Sequence, residues 1–298
     1  MASRLPNYMD HQTEASSLST TLVYLKKDEL YNHEKPFVLL VDVSHIPGAK
    51  HTNVIEERHP DVPIQDVRGE ASKLKLDVHG FELWDFEDSM KEEEFEDESW
   101  VDNVYIPKLE KALIAKLGAK EAHVIHFGLR LRPVGYPEQP TTNGDARYNL
   151  PVQVVHTDFS SQSALDFFEE RWPSYSPDML TSRLQIINVW RPLVEEIREW
   201  PLALCDQRSV GADDLRTGDV VRAKGPYEAV YATFNPLHSW FYLSNQKSSE
   251  SWLFKLYDSD SELENLTWNT SGVLHCSLNI GENVVPRRSC EARVLVRY

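Results

Sequence analysis

The stretch Leu150-Pro151-Val152-Gln153-Val154-Val155-His156-Thr157-Asp158-Phe159 decides how the chain is read. Its apolar residues read as a buried strand that ends in a His and an Asp two positions apart. On extended backbone, side chains i and i+2 stand on the same side, so the imidazole of His156 and the carboxylate of Asp158 converge on one point. Those are two corners of a 2-His-1-carboxylate triad, the ligand set with open positions expected of non-haem Fe(II) oxygenases. His-X-Asp alone arises by chance in many proteins, and a strand-end His is more often a hydrogen-bonded surface group. A third donor must therefore come from elsewhere in the chain.

Thr270-Ser271-Gly272-Val273-Leu274-His275 offers it, with His275 inside an apolar strand-like run. Taken alone, that residue reads first as a core histidine satisfied by a backbone carbonyl. Farther on, Arg287 and Arg293 lie six positions apart on an extended segment and share one face with Ser289 and Glu291. Turning a guanidinium inward is costly unless it meets an anion. Its fork suits a carboxylate, and a Ser hydroxyl completes the grip. A dicarboxylate co-substrate whose keto-acid end chelates iron would account for the Arg, the Ser and the triad together. Arg287 and Arg293 are both candidates for that salt bridge.

Composition narrows the classes. At 298 residues, 41% hydrophobic and 10% aromatic, the chain can fill one large β domain or two smaller ones. No apolar run approaches the ~20 residues that span a bilayer. The first residues lack the apolar segment of a signal peptide. A net charge of −16 argues against nucleic acid and against anionic membrane surfaces as partners. Much of the acid sits between Asp85 and Glu98, which reads as a solvated face. Cys205, Cys276 and Cys290 are widely spaced and odd in number, which points to a reducing compartment, here the cytoplasm, and away from disulfides or structural zinc.

Short strands are expected at 21–25, 37–43, 64–69, 122–130 and 184–190, and from residue 219 onward strands alternate with turns as in an antiparallel sandwich or barrel. Helical spacing predicts helices over 102–117 (ended by Gly118), 161–171 and 192–200. The segment 74–83 alternates around His79-Gly80-Phe81, and 133–146 reads as a loop at the mouth of a cleft. The whole chain, 1–298, is expected to be one domain. Residues 1–118 form its N-terminal elaboration, and about 120–298 form the core that carries the metal site.

His156-X-Asp158, then His275, then Arg287-X-Ser289 resembles the motif order of the Fe(II)/2-oxoglutarate-dependent dioxygenases. Asp66-Val67-Arg68-Gly69, His79-Gly80-Phe81, Asn188-Val189-Trp190-Arg191-Pro192, Trp200 to Asp206, His238-Ser239-Trp240-Phe241-Tyr242, Lys255 to Ser259 and Pro286 to Arg293 narrow the resemblance. They are similar to the fungal gibberellin desaturase / AsaB-type hydroxylase-desaturase family, over roughly residues 64–298. That resemblance implies a mainly β fold with flanking helices, built on a double-stranded β-helix (jelly-roll, cupin-like) core. It implies Fe(II) held by His156, Asp158 and His275, with 2-oxoglutarate on Arg287 and Ser289 or Arg293, and O2. The implied activity is hydroxylation or desaturation of a small natural product in fungal secondary metabolism. Asn188, Trp190, Arg191 and Tyr242 are candidate cleft or supporting residues, each with an equally good reading as packing. His123 and His126 fall on opposite faces of a strand and read as structural. A non-redox isomerase or cyclase and a non-catalytic binding protein on the same fold stand as alternatives.

Overall fold

The computed structural model describes residues 17–86, 90–131, 148–172, 182–260, 272–280 and 286–298. In chain order its strands are β1 (Ser17–Leu25), β2 (Phe37–Leu39), β3 (Glu56–Asp66), β4 (Phe81–Asp85), β5 (Glu121–Leu131), β6 (Tyr148–Asn149), β7 (His156–Thr157) and β8 (Leu184–Pro192). They continue with β9 (Glu196–Ile197), β10 (Leu202–Cys205), β11 (Leu215–Arg222), β12 (Gly225–Ala232), β13 (Trp240–Tyr242), β14 (Gln246–Lys247), β15 (Glu250–Asp258), β16 (His275–Ser277) and β17 (Arg288–Arg297). The α-helices are α1 (Leu76–His79), α2 (Glu98–Trp100), α3 (Ile106–Leu117) and α4 (Ser161–Arg171).

Two sheets face each other. One has the order β1-β3-β13-β10-β16-β7-β12-β11-β2 and the other β4-β15-β8-β17-β5-β6. Strand parity explains the core. Trp190 of β8 and Trp252 and Phe254 of β15 point inward and meet Leu202 and Leu204 of β10. The alternate residues Ile187, Val189 and Leu253 point outward, against Leu109 and Leu113 of α3. Every residue of β8 is buried because both of its faces are covered, which is why it reads as a continuous apolar run. This is the expected jelly roll, with helices outside the six-stranded sheet. The N-terminal part is woven in: β1 and β3 extend one sheet and β4 edges the other.

Several local expectations differ from the structure. The predicted helix over 192–200 is extended instead. β8 runs to Pro192, which pairs with Ser289, and Glu196 and Ile197 pair with β14. Leu193, Ile197 and Trp200 mimic helical spacing, but the neighbouring strands satisfy this backbone. The 74–83 alternation hides a single helical turn, α1, before β4. Only the end of β3 was read, because its first half is polar. The acidic run is not wholly solvated: Phe95 is buried, and Glu92 and Glu96 pair with Arg288 at the start of β17. The helix α3 ends as predicted, with Gly118 in the left-handed region at φ 67°. The 133–146 loop lies outside the described residues.

One close approach sets the position of β16. A Cβ on Gly272 would lie 2.4 Å from Thr157 Oγ1 and 2.8 Å from the Leu256 carbonyl oxygen. Only glycine lets the chain enter β16 this close to β7. Gly272→Ala is expected to cost about 1–3 kcal/mol by overpacking, read as a lower urea midpoint. An unchanged midpoint would mean that the approach is not constrained.

Candidate metal centre

His156 on β7 and His275 on β16 are direct partners in the sheet ladder, and Asp158 follows β7 by one residue. Each histidine turns Nδ1 to the carbonyl two residues back. His156 Nδ1 lies 2.7 Å from Val154 O and His275 Nδ1 3.0 Å from Val273 O. A carbonyl only accepts, so Nδ1 carries the hydrogen and Nε2 presents its lone pair. His156 Nε2 stands 3.7 Å from Asp158 Oδ1, and His275 Nε2 4.0 Å from Asp158 Oδ2. All three donors lie within 4.8 Å of one another. These separations are too long for hydrogen bonds. They suit donors gathered to hold one shared ion. Burial, and then the neighbouring His156, push the His275 imidazole down to about 4, so it is a neutral ligand at physiological pH. Two imidazoles and one carboxylate, with room beside them, fit Fe(II) better than a closed four-ligand zinc site.

The carboxylate is held from the opposite sheet. Arg293 of β17 grips both oxygens of Asp158, Nε to Oδ2 at 3.1 Å and Nη2 to Oδ1 at 2.9 Å. Its Nη2 also reaches Glu291 Oε1 at 3.2 Å, and Glu291 takes two bonds from Arg130, at 3.2 and 2.8 Å. Burial would raise the pKa of Asp158, but the guanidinium of Arg293 together with His156 and His275 outweighs it and holds the carboxyl well below its ordinary value. For Glu291 burial likewise pulls upward, and Arg130 and Arg293 win, holding it at about 2.

Arg287 lies elsewhere. Its Nη1 donates to the Trp200 carbonyl at 2.7 Å and to the Ser277 hydroxyl, and its Nε to Ser289 Oγ at 3.3 Å. The guanidinium lies 5.1 Å from the centre of the Trp190 ring. One cleft is lined by His156, His275, Phe254, Trp190, Ser277 and Arg287, with Arg130 and Glu291 at its side. His156, His275 and Arg287 are thus brought into one cleft, with Asp158 grouped behind the two imidazoles and Ser289 against Arg287. Arg293 is engaged with Asp158 instead.

Asn188 and Trp190 face inward, opposite Arg293 and Glu291 of β17. Two other candidates do not face the cleft. Arg191, one residue from Trp190 and so on the outer face, packs over Phe86 and Phe95. Tyr242 belongs to the outer cluster around Tyr24, Trp240 and Cys276, because Phe241 is the inward residue of β13. His123 and His126 are not on opposite faces: a bulge in the β5–β17 register sets His123 opposite Leu295 and His126 opposite Arg293, both inward, with His123 near Trp172 and His126 pushed to about 4 by burial and then by Arg293. The Arg130–Glu291 pair was not anticipated. Glu291 was seen on the Arg face, but its partner is a distant strand whose register no local pattern reveals.

Fold and site together define a jelly-roll protein with a 2-His-1-carboxylate centre. A family model described as "Oxidoreductase/YMDC permease-like domain" matches residues 22–297. "Hydroxylase/desaturase CTB9" of Cercospora beticola is 30% identical over 261 residues, 79% of this chain and 75% of that protein. "Fe(II)/2-oxoglutarate-dependent dioxygenase nvfI" of Aspergillus novofumigatus is 27% identical over 280 residues, 91% of each chain. The solved "iron and alpha-ketoglutarate-dependent endoperoxidase NvfI" shares the fold, with TM-score 0.75 and 23% identity over 94% of this chain and 97% of that one. The chain belongs to the fungal Fe(II)/2-oxoglutarate-dependent dioxygenase and hydroxylase/desaturase family.

Two outcomes follow from the charges. Arg293→Met leaves the buried Asp158 carboxylate without its guanidinium, while Glu291 keeps Arg130, and is expected to cost about 3–5 kcal/mol in chemical denaturation; a loss below about 1 kcal/mol would contradict the pairing. For the metal-free protein, His126 and His275 are depressed from about 6.5, so unfolded chains take up protons first as pH falls. Stability should decline between about pH 6.5 and 4, and again towards pH 2 as Glu291 titrates. A urea midpoint that rises on going from pH 6.5 to 4 would contradict this.

Proposed function

We propose that this chain is a single-domain, cytoplasmic Fe(II)/2-oxoglutarate-dependent dioxygenase that hydroxylates or desaturates a small natural product in secondary-metabolite biosynthesis. The observation that carries the reading is the triad of His156, Asp158 and His275, whose two imidazoles open into the same cleft as Arg287. His156, Asp158 and His275 would hold Fe(II), and Arg287 with Ser289 would receive the distal carboxylate of 2-oxoglutarate. Bound Fe(II), with 2-oxoglutarate and O2, supplies oxidative decarboxylation of the diacid to succinate and CO2, coupled to oxidation of an unactivated C–H bond.

The chain's own residues do the rest. Arg293 keeps Asp158 ionised and oriented. The carbonyls of Val154 and Val273 fix the imidazole tautomers. Phe254, Leu202 and Trp190 form walls that limit water at the reacting centre. Hydroxylation and desaturation use the same residues and differ in where the substrate carbon sits. The similarity to the hydroxylase/desaturase CTB9 and the dioxygenase nvfI supports this reading over a non-redox isomerase or an inert binder. Three free, buried cysteines suit a reducing cytoplasm, and no helix among the described residues is long and apolar enough to cross a membrane.

Succinate release from 2-oxoglutarate, measured with Fe(II) and O2, tests it. His156→Ala and Asp158→Ala should lower release at least about a hundredfold while circular dichroism stays unchanged. Arg287→Leu should act mainly on the KM for 2-oxoglutarate. An Asp158→Ala protein that releases succinate like the parent would overturn the assignment.

A further inference from the structure

Strand β8 brings Trp190 to the wall of the cleft, and Asn188 stands two residues before it on the same face. Asn188 is 1% exposed, and among the described residues neither its amide nitrogen nor its amide oxygen has a hydrogen-bond partner. Such a side chain can make up to four hydrogen bonds, and leaving them all unmade in a buried position is costly. If packing alone were required, Leu would fill this space without that cost.

The surroundings of Asn188 say where it points. It lies directly opposite Arg293 on β17 and Phe254 on β15, so the three share the inner face. Arg293 grips Asp158, and the Phe254 ring lies 4.8 Å from the ring of His275. Asn188 therefore stands between the two residues that touch two of the three metal donors. The next inward residue on the strand is Trp190, whose indole N–H is also buried without a partner among the described residues, and whose ring lies under the guanidinium of Arg287. Two residues of extended chain cover about 6.6–6.8 Å. That step runs from the level of the metal donors to the level of Arg287, about the reach of an extended five-carbon diacid.

We propose that Asn188 is a positioning residue for the diacid co-substrate: its amide N–H donates to the keto-acid end, at the level of the metal donors, and sets the diacid's orientation along β8. Trp190 donates its N–H at the distal end, beside Arg287. The proposal rests on the functional reading above and adds to it a hydrogen-bond donor on a strand that carries neither a metal donor nor Arg287.

Calorimetric titration of 2-oxoglutarate into Mn(II)-loaded protein tests it, alongside Mn(II) affinity and the melting temperature of the metal-free protein. For Asn188→Leu the diacid should bind about tenfold to a hundredfold more weakly, the worth of one hydrogen bond to a charged group. Mn(II) affinity should stay within about twofold, and the metal-free melting temperature should hold or rise. The smaller Asn188→Ala must show the same selective loss, and Asn188→Asp, with its added negative charge, should bind the diacid more weakly still. If parent protein binds no 2-oxoglutarate, the functional reading fails and the proposal with it. If parent protein binds and Asn188→Leu and Asn188→Ala bind as tightly, only the proposal fails. A drop in melting temperature together with lost Mn(II) affinity in both variants would make Asn188 a packing residue and overturn the proposal as well.

Discussion

The bidentate pair between Arg293 and Asp158 is the contact on which the rest depends. It joins β17 of one sheet to the residue that follows β7 of the other, across the interior of the jelly roll. Both partners are nearly inaccessible to water, at 5% exposure each. A buried ion pair gains little over apolar packing as a source of stability, so its presence calls for another reason. Here the reason is chemical: an ionised, oriented carboxylate is kept beside two imidazoles. Glu291 and Arg130 extend the pair into a chain of alternating charges, which leaves no inner-face carboxylate of that chain unopposed.

The jelly roll contributes alignment. The pairing of His156 with His275 puts two imidazoles on one side of a sheet, and their carbonyl contacts turn the same nitrogen inward in both. Strand parity then assigns the remaining roles. On β17, Ser289, Glu291 and Arg293 face the interior while Cys290, Ala292 and Val294 face the helices. On β8, Asn188 and Trp190 face the cleft while Val189 and Arg191 face away. A shift of either strand by one residue would exchange the polar face for the apolar one.

Parity is also why so much of the centre could be read from the chain. His-X-Asp at a strand end, a distal His and the i, i+2 run from Arg287 to Arg293 each carry their own local geometry. The β fold was legible for the same reason, as short alternating segments between turns. What the chain did not disclose depends on partners distant in sequence. Whether Arg293 served a co-substrate or Asp158 turned on the distance across two sheets. Arg191 and Tyr242 sat in motifs that resembled the family, yet each is one position out of phase with the inward residue beside it. The helix expected over 192–200 failed because apolar spacing there serves β9 and its neighbours. β3 was seen only in part because edge-strand pairing tolerates polar residues that carry no periodic signal.

The most direct measurement is an anaerobic titration of the Fe(II)-loaded protein with 2-oxoglutarate, watching for the weak visible charge-transfer band of the keto-acid chelate. One equivalent should develop the band in the parent protein, and His275→Ala should fail to develop it. Iron bound tightly with no band at saturating diacid would contradict a centre in which His156, Asp158 and His275 leave room for the co-substrate.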